Sequence, residues 1–136
     1  ELDFIPRALD ALRDHDAVVG SKHTGNQKRP LIRVLASEIF IFCTNLLLHM
    51  PYRDYSIGVK AYRTGSIRPF QSNIDSHTFY TQALLYQLHK ADKRITEIPV
   101  TCADWRKSKF NLLHEGVYRY FKLFELWLRE LKSRNS

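Results

Sequence analysis

The sequence predicts an α/β fold, a mixed sheet flanked by helices, from three observations. Apolar residues recur at helical spacing in four stretches, three short runs read as strands, and the two kinds alternate along the chain. About three strands with four helices make a poor free-standing domain of this class, so further strands are expected upstream of Glu1.

Asp3 is placed to cap a first helix whose apolar stripe is Phe4, Ala8, Leu9 and Leu12, and Pro6 is tolerated in its first turn. Asp14 to Asp16 ends it. Ala17-Val18-Val19-Gly20 then reads as a short buried strand, followed by a loop from Ser21 to Arg29 that carries Lys22, His23, Lys28 and Arg29. Pro30 suits the first position of a second helix, which reaches about Met50 and is apolar almost all round through Leu31, Val34, Leu35, Phe42 and Leu46. Such a helix is buried or lies on lipid, and core packing is the reading favoured here.

A polar loop, Tyr52 to Ser56, leads to a strand over Gly58-Val59-Lys60-Ala61-Tyr62-Arg63 and a turn at Thr64-Gly65. The third helix is expected from Asp75 or Ser76, with Asp75 as its cap, to Lys90. Ile95 to Cys102 alternates like a strand, and Pro99 places it near a sheet edge or bulge. After a polar segment, Ala103 to Lys109, the last helix carries Leu113, Val117, Tyr120, Phe121, Phe124, Trp127, Leu128 and Leu131 at helical spacing. Arg119, Lys122, Arg129 and Lys132 lie on its other faces. Core packing and a seat in the lipid headgroup layer are both open for this helix. Residues 1–109 form the body of the domain in this reading, and residues 110–136 its amphipathic end.

With 136 residues, 44% of them hydrophobic and 12% aromatic, the chain has the means to build a packed core. Its formal charge of +7 favours anionic partners: nucleic acid, sugar nucleotides or an acidic membrane surface. A nucleic-acid partner is not expected, because the basic residues are dispersed and no zinc-finger, RNA-recognition or helix-turn-helix signature is present. Cys43 and Cys102 lack metal-ligand spacing and read as reduced packing residues. The six histidines, 15, 23, 49, 77, 89 and 114, show no zinc-like pairing and read as surface or capping residues. No uninterrupted run of about 18 apolar residues occurs, so no segment is expected to cross a bilayer.

Six elements, read in order, carry a family resemblance: Glu1-Leu2-Asp3-Phe4-Ile5-Pro6; Val18-Val19-Gly20-Ser21-Lys22; Arg33 with Ser37 and Asn45; Asp54 through Gly58-Val59-Lys60-Ala61-Tyr62-Arg63; Glu97-Ile98-Pro99-Val100; and Arg106-Lys107-Ser108-Lys109. The pattern resembles the family 2 glycosyltransferases related to dolichol-phosphate mannose synthase. That resemblance implies an incomplete GT-A domain whose nucleotide-binding strands and Asp-x-Asp metal motif precede this chain, with Glu1 near the Mg2+ or Mn2+. The implied reaction moves a hexose, mannose or glucose, from a nucleotide sugar to a polyprenyl phosphate with inversion, at the cytoplasmic face of a membrane. Lys22, Arg33 and Ser37 would then grip the acceptor phosphate, Arg106 and Lys109 would approach the donor diphosphate, Arg33 and Arg106 would carry the catalytic charge, and Asp54 matches a family position. A polyprenyl phosphate is ionised at neutral pH, so the protein needs cations more than a base. Arg33 and Ser37, four apart on a helix, can share one phosphate.

Three positions depart from the pattern. Lys22 stands where the family usually has Arg, which removes bidentate phosphate geometry. Lys107 occupies a position usually held by Gly, and Gln82 one often held by Glu, so Gln82 receives no role. Related enzymes glycosylate polysaccharides, proteins or other lipids, and a silent homologue would share the pattern.

Overall fold

The computed structural model describes residues 3–22, 25, 27–55, 59–74, 79–103 and 112–136. Their elements are α1 (Phe4–Ala11), β1 (Ala17–Ser21), β2 (Gln27–Lys28), α2 (Leu31–Leu48), β3 (Lys60–Tyr62), α3 (Thr64–Ile67), a 3-10 helix (Arg68–Asn73), α4 (Tyr80–Lys90), β4 (Ile95–Pro99), β5 (Cys102–Ala103) and α5 (Leu112–Arg134). A small mixed sheet has the order β3-β1-β4, antiparallel on the β3 side and parallel on the β4 side. Every residue of β1 is buried, as a central strand covered on both faces requires.

Alternation along β1 divides the core. Val18 faces Phe4 and Ala8 of α1 together with Val100, while Ala17 meets Leu84 and Leu88 of α4. Val19 joins the largest cluster, which includes Phe40, Ile41 and Leu48 of α2, Leu85 and Tyr86 of α4, and Leu123 and Leu126 of α5. The sheet thus lies between α1 and a layer built from α2, α4 and α5, a layered α/β arrangement.

Several local expectations change. Asp3 precedes α1 but makes no side-chain cap, because its carboxylate pairs with Arg7 at 3.4 Å. The strand expected up to Cys102 stops at Pro99, and the N–H of Val100 turns to the carbonyl of Ser21 at 3.1 Å. Cys102–Ala103 then pairs in parallel with Gln27–Lys28, which places a short strand inside the expected loop. In place of a simple turn, residues 64–73 are helical, and Ser66 Oγ donates to Asp16 Oδ1 at 2.5 Å. Arg63 closes the other end of the same corner by donating to the carbonyls of Leu12, at 2.6 Å, and Arg13. The expected cap Asp75 lies outside the described residues.

The greatest departure is α2, for which core packing was the favoured reading. Only Phe40, Ile41, Thr44 and Leu48 are buried, while Leu31, Leu35, Ile39, Phe42 and Leu46 form an exposed stripe. Its 18 residues have a mean hydropathy of 1.9, so by length and composition alone α2 could cross a membrane, although Arg33 and Glu38 interrupt the apolar run in sequence. A helix apolar all round can bury only the side it turns to its neighbours; the rest stays outside unless something else covers it. On α5 the same division appears, with Leu123 and Leu126 inside and Val117, Phe121, Phe124, Leu128 and Leu131 outside. The two helices touch through an edge-to-face contact of Phe40 with Tyr120, ring centres 5.2 Å apart.

Candidate functional site

β1 and β4 run parallel, and crevices in open α/β sheets form beyond the carboxyl ends of such strands. Lys22 sits one residue past the end of β1. Its side chain is 5% exposed and lies against the fully buried carboxylate of Asp54, with Nζ to Oδ1 at 3.3 Å. The main-chain N–H of Lys22 donates to Asp54 Oδ2 at 3.2 Å. Burial holds the Lys22 ammonium below the usual lysine range, Asp54 offsets part of that, and neighbouring Arg29 lowers it further.

Asp54 belongs to the loop between α2 and β3, and that loop is held from several sides. Glu97 Oε1, on β4, accepts the N–H groups of Arg53 at 2.8 Å and Asp54 at 3.0 Å. Burial raises the Glu97 carboxyl, and those two N–H groups pull it back toward the charged form. Asn45 of α2 donates to the carbonyl of Tyr52 at 3.1 Å and accepts the Tyr55 hydroxyl. The carbonyl of Tyr55 receives Lys60 Nζ at 3.2 Å and Thr81 Oγ1 at 3.4 Å. Four elements, β4, α2, β3 and α4, therefore converge on one segment, residues 52–55, and present Asp54 to Lys22.

Lys60 of β3 is a further cation of this site, one that sequence reasoning assigned no role. Burial pushes its amine down to about 8; Asp54 opposes that shift, while Lys22 and Arg119 of α5 add to it. The signal was available in the sequence, since Lys60 lies in a predicted strand beside Val59 and Ala61, where a lysine is bound to lose water. Gln82, also without an assigned role, is 3% exposed and donates from Nε2 to Thr44 Oγ1 at 2.9 Å, joining α4 to α2 inside the core.

Among the sequence-predicted residues, the structure brings Lys22 and Asp54 into direct contact. Arg33 and Ser37 follow the same face of α2 as Ile41, Thr44 and Leu48, the face turned to the protein, opposite the exposed apolar stripe. Glu1, Arg106 and Lys109 lie outside the described residues.

With this geometry in place, similarity to known proteins adds chemistry. The chain is 28% identical over 102 residues to the undecaprenyl-phosphate mannosyltransferase of Micrococcus luteus. That relative is a glycosyltransferase. The match takes in 71% of this chain and 42% of the relative, so the chain spans less than half of that protein's length. No family model matches. Together with the small mixed sheet flanked by helices, the similarity suggests a glycosyltransferase at the coarse level and is compatible with part of such a domain.

The metal implied by the family resemblance finds no donor set here: among the described residues no group of three His, Cys, Asp or Glu side chains could hold an ion.

Proposed function

We propose that this chain is the acceptor side of a glycosyltransferase that moves a hexose, mannose or glucose, from a nucleotide sugar to a polyprenyl phosphate with inversion at the anomeric carbon. The observation that carries the reading is the similarity to the undecaprenyl-phosphate mannosyltransferase. The fold supports it in two ways. Lys22 beyond the end of β1 and Lys60 on the neighbouring β3 bring cations to where an anionic head group would be received, and α2 turns an apolar stripe outward while Arg33 and Ser37 stand on its opposite side.

In this reading a phosphate oxygen of the acceptor attacks the anomeric carbon, a C–O bond forms, and the bond to the nucleoside diphosphate breaks on the opposite face of the sugar. The acceptor is already an anion, so the protein's work is to hold two negatively charged reactants together and to receive charge on the leaving diphosphate. Arg33 and Ser37 grip the acceptor phosphate from α2, with Lys22 at the floor of the site. Arg106 and Lys109 approach the donor diphosphate. A divalent metal, Mg2+ or Mn2+, would supply further charge neutralisation at the diphosphate; its ligands, with Glu1 peripherally among them, are assigned outside the described residues.

The exposed stripes of α2 and α5 fit a peripheral seat on the cytoplasmic face of a membrane, with Lys122, Arg129 and Lys132 on the flanks of α5 toward anionic headgroups. The deciding experiment offers radiolabelled GDP-mannose, UDP-glucose and UDP-N-acetylglucosamine to the full-length protein with undecaprenyl phosphate and manganese or magnesium. A labelled lipid product sensitive to mild acid is the expected result. Transfer to another acceptor would overturn the lipid assignment, and absence of donor binding would overturn the transferase.

A further inference from the structure

Lys22 and Glu97 are on neighbouring parallel strands or just beyond them: Val19 pairs with Glu97, and Lys22 follows the end of β1. Asp54 arrives between them from a loop far along the chain. Its two carboxylate oxygens are divided between the N–H and the ammonium of Lys22, at 3.2 and 3.3 Å. Glu97 holds the main chain of Arg53 and Asp54 through one oxygen, at 2.8 and 3.0 Å. A side chain that fixes a neighbour's backbone fixes where that neighbour's own side chain can reach, and a buried carboxylate holding both ends of a lysine leaves that lysine little freedom.

We propose that Glu97 and Asp54 form a positioning pair that sets the Lys22 ammonium for an anionic phosphate, Glu97 holding the main chain of Asp54, and Asp54 holding the main chain and side chain of Lys22. The proposal rests on the glycosyl-transfer reading for the identity of that phosphate. Neither carboxylate touches the acceptor; both act through Lys22. The other groups whose charge bears on the Lys22 ammonium are Arg29, Lys60 and the Cys102 thiol, while Glu97 feels Arg53 and Asp54.

The test uses the full-length protein and two readouts. One is the titration of Lys22, followed by Cε–Hε NMR correlations of 13C-lysine-labelled protein and assigned with Lys22→Arg. The other is KM for undecaprenyl phosphate in detergent micelles at saturating sugar donor. Asp54→Asn removes the charge that supports the ammonium, so Lys22 titrates at lower pH than in the parent protein. The acceptor KM rises about tenfold, the loss of one placed charge-assisted contact, while kcat and donor KM stay within about twofold. Lys22→Met gives the same rise, and joining the two substitutions adds nothing, because residues that act through one another are not additive. Glu97→Ala lowers the Lys22 titration in the same direction, and Glu97→Gln, which keeps a carbonyl acceptor for the two N–H groups, restores it. Should Asp54→Asn or Lys22→Met fail to fold, this Glu97 comparison carries the test alone. A Lys22 titration unmoved by Asp54→Asn, additive KM effects, or a Glu97→Gln protein as impaired as Glu97→Ala would each overturn the proposal. If the parent protein transfers no sugar, the transferase reading falls, and the Lys22 titration still decides the positioning.

Discussion

Asp54 meets Lys22 at both of its ends, taking the main-chain N–H on one oxygen and the ammonium on the other, with the two side chains 0% and 5% exposed. This contact ties the segment after β1 to the loop before β3, two stretches 32 residues apart. Removing one partner strands a buried charge, whereas removing both does not. Lys22→Met is therefore expected to lower the unfolding free energy by about 3 kcal/mol. Lys22→Met combined with Asp54→Leu should recover most of that loss. Urea unfolding of the three proteins checks it, and a double variant no more stable than the single one would refute the account.

Gly25 lies where a Cβ would come within 2.2 Å of the Val100 carbonyl oxygen and 2.7 Å of its nitrogen. Both are backbone atoms, so no side-chain rotation relieves the clash. Gly25→Ala should cost on the order of 2 kcal/mol, as overpacking against fixed atoms does. Gly65, in α3, has no such neighbour within 4 Å, and Gly65→Ala should be neutral or stabilising by about 0.5 kcal/mol. Thermal unfolding of both variants side by side gives the comparison.

Lys60 supplies a pH dependence. Burial pushes its amine down to about 8 in the folded protein, from the ordinary lysine value of 10.5. Between those values the unfolded chain binds more protons than the folded one, so stability rises with pH across this window and is flat below it on this account. Lys60→Met should shrink the rise, leaving the part due to Lys22, whose ammonium burial also holds below the usual lysine range. Denaturation at a series of pH values from 7 to 10.5 reads the slope; an unchanged slope in Lys60→Met would place the titration elsewhere.

The outer stripes of α2 and α5 should carry membrane binding. Phe42 is 67% exposed and Phe121 65% exposed, so replacing each with Glu removes apolar surface without emptying the core. Co-sedimentation with vesicles containing anionic lipid is expected to fall sharply in Phe42→Glu/Phe121→Glu while the melting temperature holds. Equal binding by parent and variant would remove these helices from the membrane.

Much of this could be read from the amino-acid order. Val18 and Val19 announced a buried strand because two β-branched residues without polar relief need cover on both sides. Helix periodicity located α2, α4 and α5 to within a few residues. The pairing of Lys22 with Asp54 was not legible, since nothing local links positions 32 apart and only the folded sheet brings them together. The orientation of α2 was equally hidden: a helix apolar all round carries no sign of which side faces inward, and the answer came from the partners it meets in α4 and α5. The segment at residues 64–73 became helical because Asp16 and Arg63 organise that corner through contacts some 50 residues away in sequence.

On α2, Arg33 and Leu35 are only two residues apart, yet they stand on opposite walls of the helix. A helix with its side chains is about 10 Å across. In the proposed function this thickness works as a spacer: a leaflet resting on the Leu35 side leaves the phosphate-gripping side one helix width farther in. The acceptor must then be drawn partly out of the leaflet, and a long, pliable tail can bridge that step where a short or stiff one cannot. Turnover measured over acceptors of graded chain length and first-unit rigidity would show a threshold if the helix sets this reach, and a smooth decline with hydrophobicity alone if it does not.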